Sequence, residues 1–256
     1  MTTTLILPSE RIINHGEAYL TGRYAKGCRP ASFDELGLIP APASTETWHP
    51  VPYQTLVTIA KEILGNTLPG DYELVDEGFI LAQGDQQMFG TLTYKSATLN
   101  LPFACGMRGS YNKTLTEGIC LGGKVTVCSN LMFSGLVKVV RKNTKNVIAR
   151  LQDMLYEAAR EATGHHQQLV QDISALHAAR CTDDMAYQML GLAWGQDIIT
   201  DRQLPVAREE WLEPRFAEFS SRTQWSLYNA MTYAMKSTHP SVMLERLSGL
   251  HRLFKE

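Results

Sequence analysis

Positively charged side chains are concentrated in one stretch of the chain, and they are its strongest chemical signal. Between Lys95 and Arg150 lie nine lysines and arginines and one acid, Glu117, so this stretch carries a formal charge of +8. The whole chain has a formal charge of −2, which leaves −10 for the remaining residues. Surfaces that serve only solubility usually interleave both signs. The segregation therefore predicts a polyanionic partner, and DNA in particular.

Eight residues of this stretch are candidates for contact with a nucleic acid. Four of the cations, Lys138, Arg141, Lys142 and Lys145, lie at positions i, i+3, i+4 and i+7 and would share one face of a helix. The ring of Tyr111, flanked by small and polar residues, is the candidate for stacking on an unpaired base. The alternatives are a solvated helical face for the charges and core packing for the ring. The predicted nucleic-acid-binding residues are Arg108, Tyr111, Lys113, Lys124, Lys138, Arg141, Lys142 and Lys145.

Signatures of catalysis and of metal or cofactor binding are weak. The sequence has no phosphate-binding Walker loop, no Gly-x-Ser-x-Gly elbow and no His-Glu-x-x-His helix. His165, His166, His177 and Cys181 do not have the spacing of a metal-ligand set. The five cysteines are odd in number and contain no Cys-x-x-Cys pair, which is typical of buried reduced thiols. We therefore predict no catalytic residue, no metal and no cofactor.

The first part of the chain is punctuated by proline and glycine, which predict an irregular arm over residues 1–52. Trp48 and Tyr53 are the expected anchors of this arm. Apolar residues at helical spacing then predict a helix over residues 53–65, ended by Gly65. The N-terminus lacks the features of a secretory signal, and no apolar run approaches the ~20 residues that cross a bilayer. These observations indicate a cytoplasmic protein with no membrane partner.

The remaining residues predict a single α+β domain over residues 53–256. Residues 71–130 have the short alternating runs of an antiparallel β-sheet of about four or five strands, with hairpin turns at 83–85 and 122–123. Thr91, Thr93 and Lys95 alternate with apolar residues, as in a half-buried strand. Residues 135–256 are predicted to be helical. They begin with a long helix of about 35 residues, or with two helices kinked at Gly164, and continue as a C-terminal helical region.

Two short motifs resemble a known family. Arg108-Gly109-Ser110 begins a strand, and Val127-Cys128-Ser129-Asn130-Leu131 forms a corner after a glycine-containing hairpin. Residues 226–232 and 246–247 are similar to the closing helices of the same proteins. The resemblance is to the phage, plasmid and prophage family known as domain of unknown function 932, and it spans residues 50–254. The chain lacks the family's glycine after Asn130 and its His-Asp pair before Gly109. The resemblance implies a mobile-element origin, and since the family has no established activity it assigns no functional residue.

Three functions remain open at this point. The first is a mobile-element protein that binds single-stranded DNA, as an annealing or recombination accessory, and forms a homo-oligomer. An antiparallel sheet followed by a long helix is broadly similar to the core of single-strand annealing proteins, although this is an analogy of fold. The second is an anti-defence or regulatory protein that binds a host protein through its acidic remainder. The third is an enzyme with an unfamiliar site, which the sequence does not favour.

Overall fold

The structure is a computed structural model that describes residues 27–99, 101–125, 130–132, 138–141 and 143–255. Its strands form one antiparallel sheet in the order β1-β2-β3-β4-β5-β6, and β7 pairs with the first half of β5. The sheet is followed by a long helix and a C-terminal helical region, which confirms the predicted α+β fold class. The strands are β1 Cys28–Ala31, β2 Tyr72–Ala82, β3 Gln87–Ser96, β4 Phe103–Ser110, β5 Glu117–Val125, β6 Asn130–Met132 and β7 Lys138–Arg141.

Seven α-helices lie within the described residues, and the longest runs without a break through Gly164. The kink considered at that glycine is therefore absent from this helix. The first helix after the sequence-predicted arm continues two residues beyond Gly65, where its end was predicted. The helices are α1 Phe33–Leu38, α2 Tyr53–Thr67, α3 Val147–Ala178, α4 Asp183–Gly195, α5 Gln203–Leu212, α6 Gln224–Ala234 and α7 Pro240–Leu253. None of these helices combines the length and apolar character needed to cross a membrane.

The predicted irregular arm contains two short regular elements in its described part. Strand β1 extends the sheet by pairing with residues 79–82 of β2. Helix α1 begins at a capping box in which the Ser32 side chain accepts from the Glu35 backbone and the Glu35 carboxylate accepts from the Ser32 backbone. The remaining described residues of the arm have no regular structure. Residues 1–26 lie outside the described part of the chain.

One of the two predicted hairpin turns is confirmed. Gln83, Gly84 and Asp85 all have positive φ angles, and they join β2 to β3 as a tight turn requires. The second turn was wrong, because Gly122 and Gly123 lie inside β5 and pair with β4. A Cβ added at Gly123 would lie 2.7 Å from Cδ2 of Leu101, so this glycine allows a close approach of side chains to the strand.

The sheet separates two apolar clusters. On one face, α2 and the first half of α3 cover residues such as Met107 and Ile119. On the other face, the second half of α3 and the C-terminal helices cover Phe89 and Cys120. Strands β3 and β4 are consequently buried on both faces, and the prediction of a half-buried strand was wrong for β3. Even its threonines at 91 and 93 are only 7% and 3% exposed.

Close packing at Gly90 gives a test of this double burial. An added Cβ would lie 2.8 Å from Cδ1 of Phe79 and 3.1 Å from Cγ of Met107. Overpacking of this kind costs about 1–3 kcal/mol, so Gly90→Ala should lower the free energy of unfolding in urea by that amount. Gly164→Ala is the matched control, because its Cβ would meet open space on α3 and alanine favours a helix by about 1 kcal/mol. Equal effects of the two substitutions would contradict the packing described for β3.

Candidate nucleic-acid interface

The eight predicted contact residues fall into three groups in the structure. Arg108, Tyr111 and Lys124 are buried. Lys113 and Lys145 are exposed. Lys138 and Arg141 belong to β7, whose backbone alone is described, and Lys142 lies outside the described residues. The stretch is therefore not one continuous ridge.

Arg108 is buried on the face of β4 that packs against α7. Its Nη1 donates to the backbone oxygen of Ser241 at 2.9 Å and to the Glu245 carboxylate at 2.7 Å. The side chain is only 8% exposed, whereas that of Glu245 is 40% exposed. Arg108 thus joins the sheet to the C-terminal helices, and its predicted phosphate contact does not fit this geometry.

Lys124 is buried at the other end of the sheet, in β5. Its Nζ donates to the Asp76 carboxylate at 2.6 Å, and the two side chains are 7% and 18% exposed. Breaking a buried ion pair by removing one partner is strongly destabilising, because it leaves an uncompensated charge. Lys124 therefore neutralises Asp76 on β2, and it is not placed to contact a phosphate.

Tyr111 has its ring covered by another aromatic ring. It stacks on Tyr53 with the ring centroids 3.9 Å apart and the planes 3° from parallel. Its hydroxyl also accepts from the backbone N–H of Tyr53 at 3.0 Å. The ring is 4% exposed, so it cannot stack on a base in this arrangement, and its predicted role was wrong. Tyr53, an expected anchor of the arm, instead begins α2 on this stack.

The helical face predicted for the basic run was also wrong. Residues 138–141 pair as a strand with residues 117–120 of β5, and α3 begins only at Val147. Positions three residues apart lie on opposite faces of a strand, so Lys138 and Arg141 do not share a face.

A contact between a lysine and a partly exposed tryptophan ring lies at the end of the sheet where a loop joins β4 to β5. The Nζ atom of Lys113 lies 4.9 Å from the centroid of the Trp48 ring, within the range of a cation–π interaction. Lys113 has a positive φ of 63°, so the loop presents its side chain from a tight backbone turn. Trp48 is partly exposed and lies in a turn where its backbone N–H donates to the Thr45 hydroxyl at 3.1 Å.

Lys145 belongs to the same end of the molecule. The N–H of His49 donates to the backbone oxygen of Asn143 at 2.8 Å, which ties the Trp48 segment to the turn that carries Lys145. The Asn143 side chain in turn donates to the Glu117 carboxyl at 2.8 Å, and Glu117 follows the Lys113 loop. Three separate segments are thus fixed together. We call partly exposed Trp48 and exposed Lys113 and Lys145 together the Trp48 surface.

The remaining charges show how this surface differs from the predicted one. Lys95 is exposed, but it lies near the C-terminal end of β3. The start of β3, at Gln87, pairs with Ser110, where β4 leads into the loop that carries Lys113. Arg141 pairs in register with Glu117, so its backbone lies beside the surface. Glu46 is an exposed acid in the same turn as Trp48. The cations of the stretch converge only in part, around a tryptophan that the sequence had suggested merely as an anchor.

Trp48 is the residue whose function the sequence did not indicate. It lies 65 positions before Lys113 and has no lysine or arginine close to it in the chain. The pairing of the His49 backbone with Asn143 and the contact of Tyr53 with Tyr111 bring the two regions together. Such a contact between distant segments follows from the fold and not from local spacing.

Glu117 is the buried acid that accepts a hydrogen bond from the Asn143 side chain. It is 1% exposed, and its Oε2 atom is buried without a hydrogen-bond partner among the described residues. Burial raises the pKa of Glu117 to about 8, against the opposing effect of the Asn143 hydrogen bond. The folded protein thus holds a proton on a carboxyl group that would be ionised in the unfolded chain at neutral pH.

Comparison with other proteins leaves the family open. No family model, no curated protein and no solved structure matches this chain. The resemblance to the domain of unknown function 932 therefore stays a prediction, and most of its corner at residues 127–131 lies outside the described residues. Within the described part of the chain, no three histidine, cysteine or acidic side chains are grouped so that they could hold a metal ion.

The proton on Glu117 predicts how stability depends on pH. The unfolded chain loses this proton near pH 4.3 and the folded protein near pH 8. Between these values the folded state binds more protons, so stability falls by up to about 1.4 kcal/mol per pH unit as pH rises. Glu117→Gln keeps an acceptor for Asn143 and should remove this loss, so its stability advantage should grow from pH 5 to pH 8. Urea unfolding at several pH values measures the difference, and parallel profiles would mean that Glu117 is ionised in the folded protein.

Proposed function

We propose that this protein binds single-stranded DNA at the Trp48 surface, as an annealing or recombination accessory of a phage or plasmid. The observation that carries the proposal is the contact between Lys113 and the ring of Trp48, with Lys145 two residues from Asn143, to which the His49 backbone is hydrogen-bonded. Single-strand binders combine cations that follow the phosphates with aromatic rings on which bases stack. Both kinds of group are present here, since the two lysines are exposed and Trp48 is partly exposed.

The two lysines and the tryptophan have complementary parts in this proposal. Lys113 and Lys145 neutralise phosphates and release the condensed counterions, which gives affinity without reading sequence. The ring of Trp48 offers its π-face to one unpaired base, at the place where the Lys113 ammonium rests in the free protein. When a base stacks there, Lys113 can move from the ring to the adjacent phosphate.

The proposal favours single strands because the ring must reach the face of a base. Bases in a duplex are stacked on one another, and their faces are not accessible without unpairing. A lysine surface without an aromatic ring would not make this distinction. Because the surface is small, we expect weak binding per copy, with Arg141 and Lys142 as the next positions along the chain that could extend it.

Salt dependence separates phosphate contacts from other modes of binding. We expect the affinity for a fluorescent oligothymidine to fall linearly on a logarithmic salt scale, with a slope of about 0.7 per neutralised phosphate. The double variant Lys113→Glu, Lys145→Glu should lower the affinity and flatten the slope by about 1.4, because two contacts are lost. Fluorescence anisotropy over a range of salt concentrations measures both.

Lys95→Glu is the matched control, since it reverses an exposed charge of the same stretch at the opposite end of β3. Its slope should equal that of the wild type. Glu46→Gln gives the opposite sign and should tighten binding, because it removes the exposed acid nearest to Trp48 in the chain.

Equal losses from Lys95→Glu and the double variant would contradict the assignment to the Trp48 surface. The absence of a gel shift with any oligonucleotide at low salt would contradict DNA binding itself, and recovery of a stoichiometric host protein from lysate would then favour the protein-binding alternative.

Stacking on Trp48 gives a second test that charge alone does not explain. Trp48→Ala should weaken binding to single strands by about 1–3 kcal/mol, the usual worth of one base–aromatic stack. Trp48→Phe keeps an aromatic face and should retain part of the affinity. Quenching of tryptophan fluorescence on addition of the oligonucleotide should fall in Trp48→Ala and persist in Trp194→Phe, because Trp194 is the other exposed tryptophan and Trp211 and Trp225 are buried. A Trp48→Ala protein with unchanged affinity would rule out the stacking role.

A further inference from the structure

One buried carboxyl group carries a chain of contacts that leads to the Trp48 surface. The Asn143 side chain donates to Oε1 of Glu117 at 2.8 Å, and the Asn143 backbone oxygen accepts from the N–H of His49 at 2.8 Å. Trp48 precedes His49 in the chain, and Lys145 is two residues from Asn143. A change at Glu117 therefore reaches two members of the surface through one asparagine.

The site of this carboxyl group suits its neutral form. Glu117 is 1% exposed, and its Oε2 atom has no hydrogen-bond partner among the described residues. A Cβ added at Gly109 would lie 2.5 Å from Oε2, so the carboxyl group packs directly against the backbone of β4 and leaves no room for water between them. An ionised carboxylate in such a place is costly, because its second oxygen loses the hydrogen bonds of water.

The other titratable groups around Glu117 are expected to keep their charge between pH 7 and pH 9. Burial raises the pKa of the Tyr53 and Tyr111 phenols, and the nearby Glu117 raises it further, so both rings stay neutral. Arg108 attracts the carboxylate, but arginine keeps its proton in proteins and this one is already paired with an acid of α7. The titratable and charged residues next to Glu117 or to its Asn143 partner are Arg108, Tyr111, Tyr53, His49 and Arg141, the last through its backbone pairing with Glu117.

We propose that the proton of Glu117 controls the Trp48 surface: the surface is assembled while Glu117 is protonated, and ionisation of Glu117 releases Trp48 and lowers the affinity for single-stranded DNA. The effect on DNA rests on the proposed function, whereas the release of Trp48 is a property of the free protein. Once ionised, the carboxylate gains hydrogen bonds only by moving towards water or by admitting water. Either change withdraws Oε1 from Asn143 and loosens the turn to which His49 is bound.

The size of the effect follows from the fraction of molecules that hold the proton. Burial raises the pKa of Glu117 to about 8, against the opposing effects of Asn143, the Ser110 backbone and Arg108. The surface is therefore assembled below this pH and released above it. At pH 9 about one molecule in eleven still carries the proton, so the apparent affinity should be about tenfold lower than at pH 7. Linkage is reciprocal, so bound DNA should raise the pH at which Glu117 ionises.

Tryptophan fluorescence of the free protein tests the release of Trp48 without DNA. The chain has four tryptophans, and in the Trp194→Phe protein the other two besides Trp48 are buried. The emission of this protein should shift to longer wavelength between pH 7 and pH 9, with a midpoint near pH 8. Glu117→Gln in the same background should show no shift, because glutamine keeps an acceptor for Asn143 and does not ionise. A shift that persists in Glu117→Gln, or one centred near pH 6.5 as histidine titrates, would overturn the proposal.

Fluorescence anisotropy of a labelled oligothymidine at constant salt tests the effect on binding. The affinity of the wild type should fall about tenfold from pH 7 to pH 9, and that of Glu117→Gln should stay constant. Glu73→Gln is the matched control, because it removes an exposed acid of β2 and should keep the pH profile of the wild type. Equal affinities of the wild type at the two pH values would overturn the proposal and leave DNA binding intact. A fluorescence shift near pH 8 without binding of any oligonucleotide would instead overturn the proposed function and leave the proton control of Trp48 standing.

Discussion

The burial of the central strands on both faces is the constraint on which the rest of the structure depends. Helices cover β3 and β4 on either side, so every polar side chain in these strands must find a partner inside the protein. Nη1 of Arg108 meets this requirement through Glu245 and the backbone of Ser241, although its Nε is buried without a partner among the described residues, and Lys124 meets it through Asp76. The contacts of Arg108 join β4 to α7, and the pair of Lys124 with Asp76 joins β5 to β2. The same pairs remove two cations from the surface, which is why the formal charge of the stretch overstates its exposed charge.

Patterns that depend on neighbouring residues predicted much of the fold. The turn at Gln83–Asp85 and the helical periodicity after Val147 are local, and both lead to the observed elements. Gly122 and Gly123 have the composition of a turn, but their role depends on Leu101 and Leu169, which pack against Gly123 from distant parts of the chain. The alternation in β3 likewise predicts one buried face, because the sequence does not show that helices cover the second. The misassigned elements are those that contacts between distant segments determine.

The residues of the candidate site also divide into those that local patterns predict and those that contacts between distant segments determine. Lys113 and Lys145, predicted to contact a nucleic acid, are exposed, as lysines in loops usually are, and their contact with a nucleic acid stays a prediction. Sequence reasoning predicted that Tyr111 stacks on a base because its neighbours are polar, but the ring is stacked on Tyr53 instead. The ring that contacts a cation of the stretch comes from the arm and is partly exposed, and no local signal links Trp48 to the basic stretch. The hydrogen bonds through Asn143 supply that link, and they rest on Glu117, a buried acid that local sequence patterns do not distinguish from a surface one.

The small size of the Trp48 surface has a consequence for affinity. One tryptophan and two lysines provide few phosphate contacts, so a single copy can bind a strand only weakly. The homo-oligomer predicted from the sequence would place two such surfaces in one assembly, and the second contact with the same strand would become intramolecular. The gain depends on whether one strand can span both surfaces, so it should appear above a threshold of oligonucleotide length. A dimer that brings the two surfaces to opposite sides would instead hold two strands at once, which is the geometry that annealing requires. The length dependence of affinity in the dimer therefore distinguishes a protein that coats one strand from a protein that pairs two.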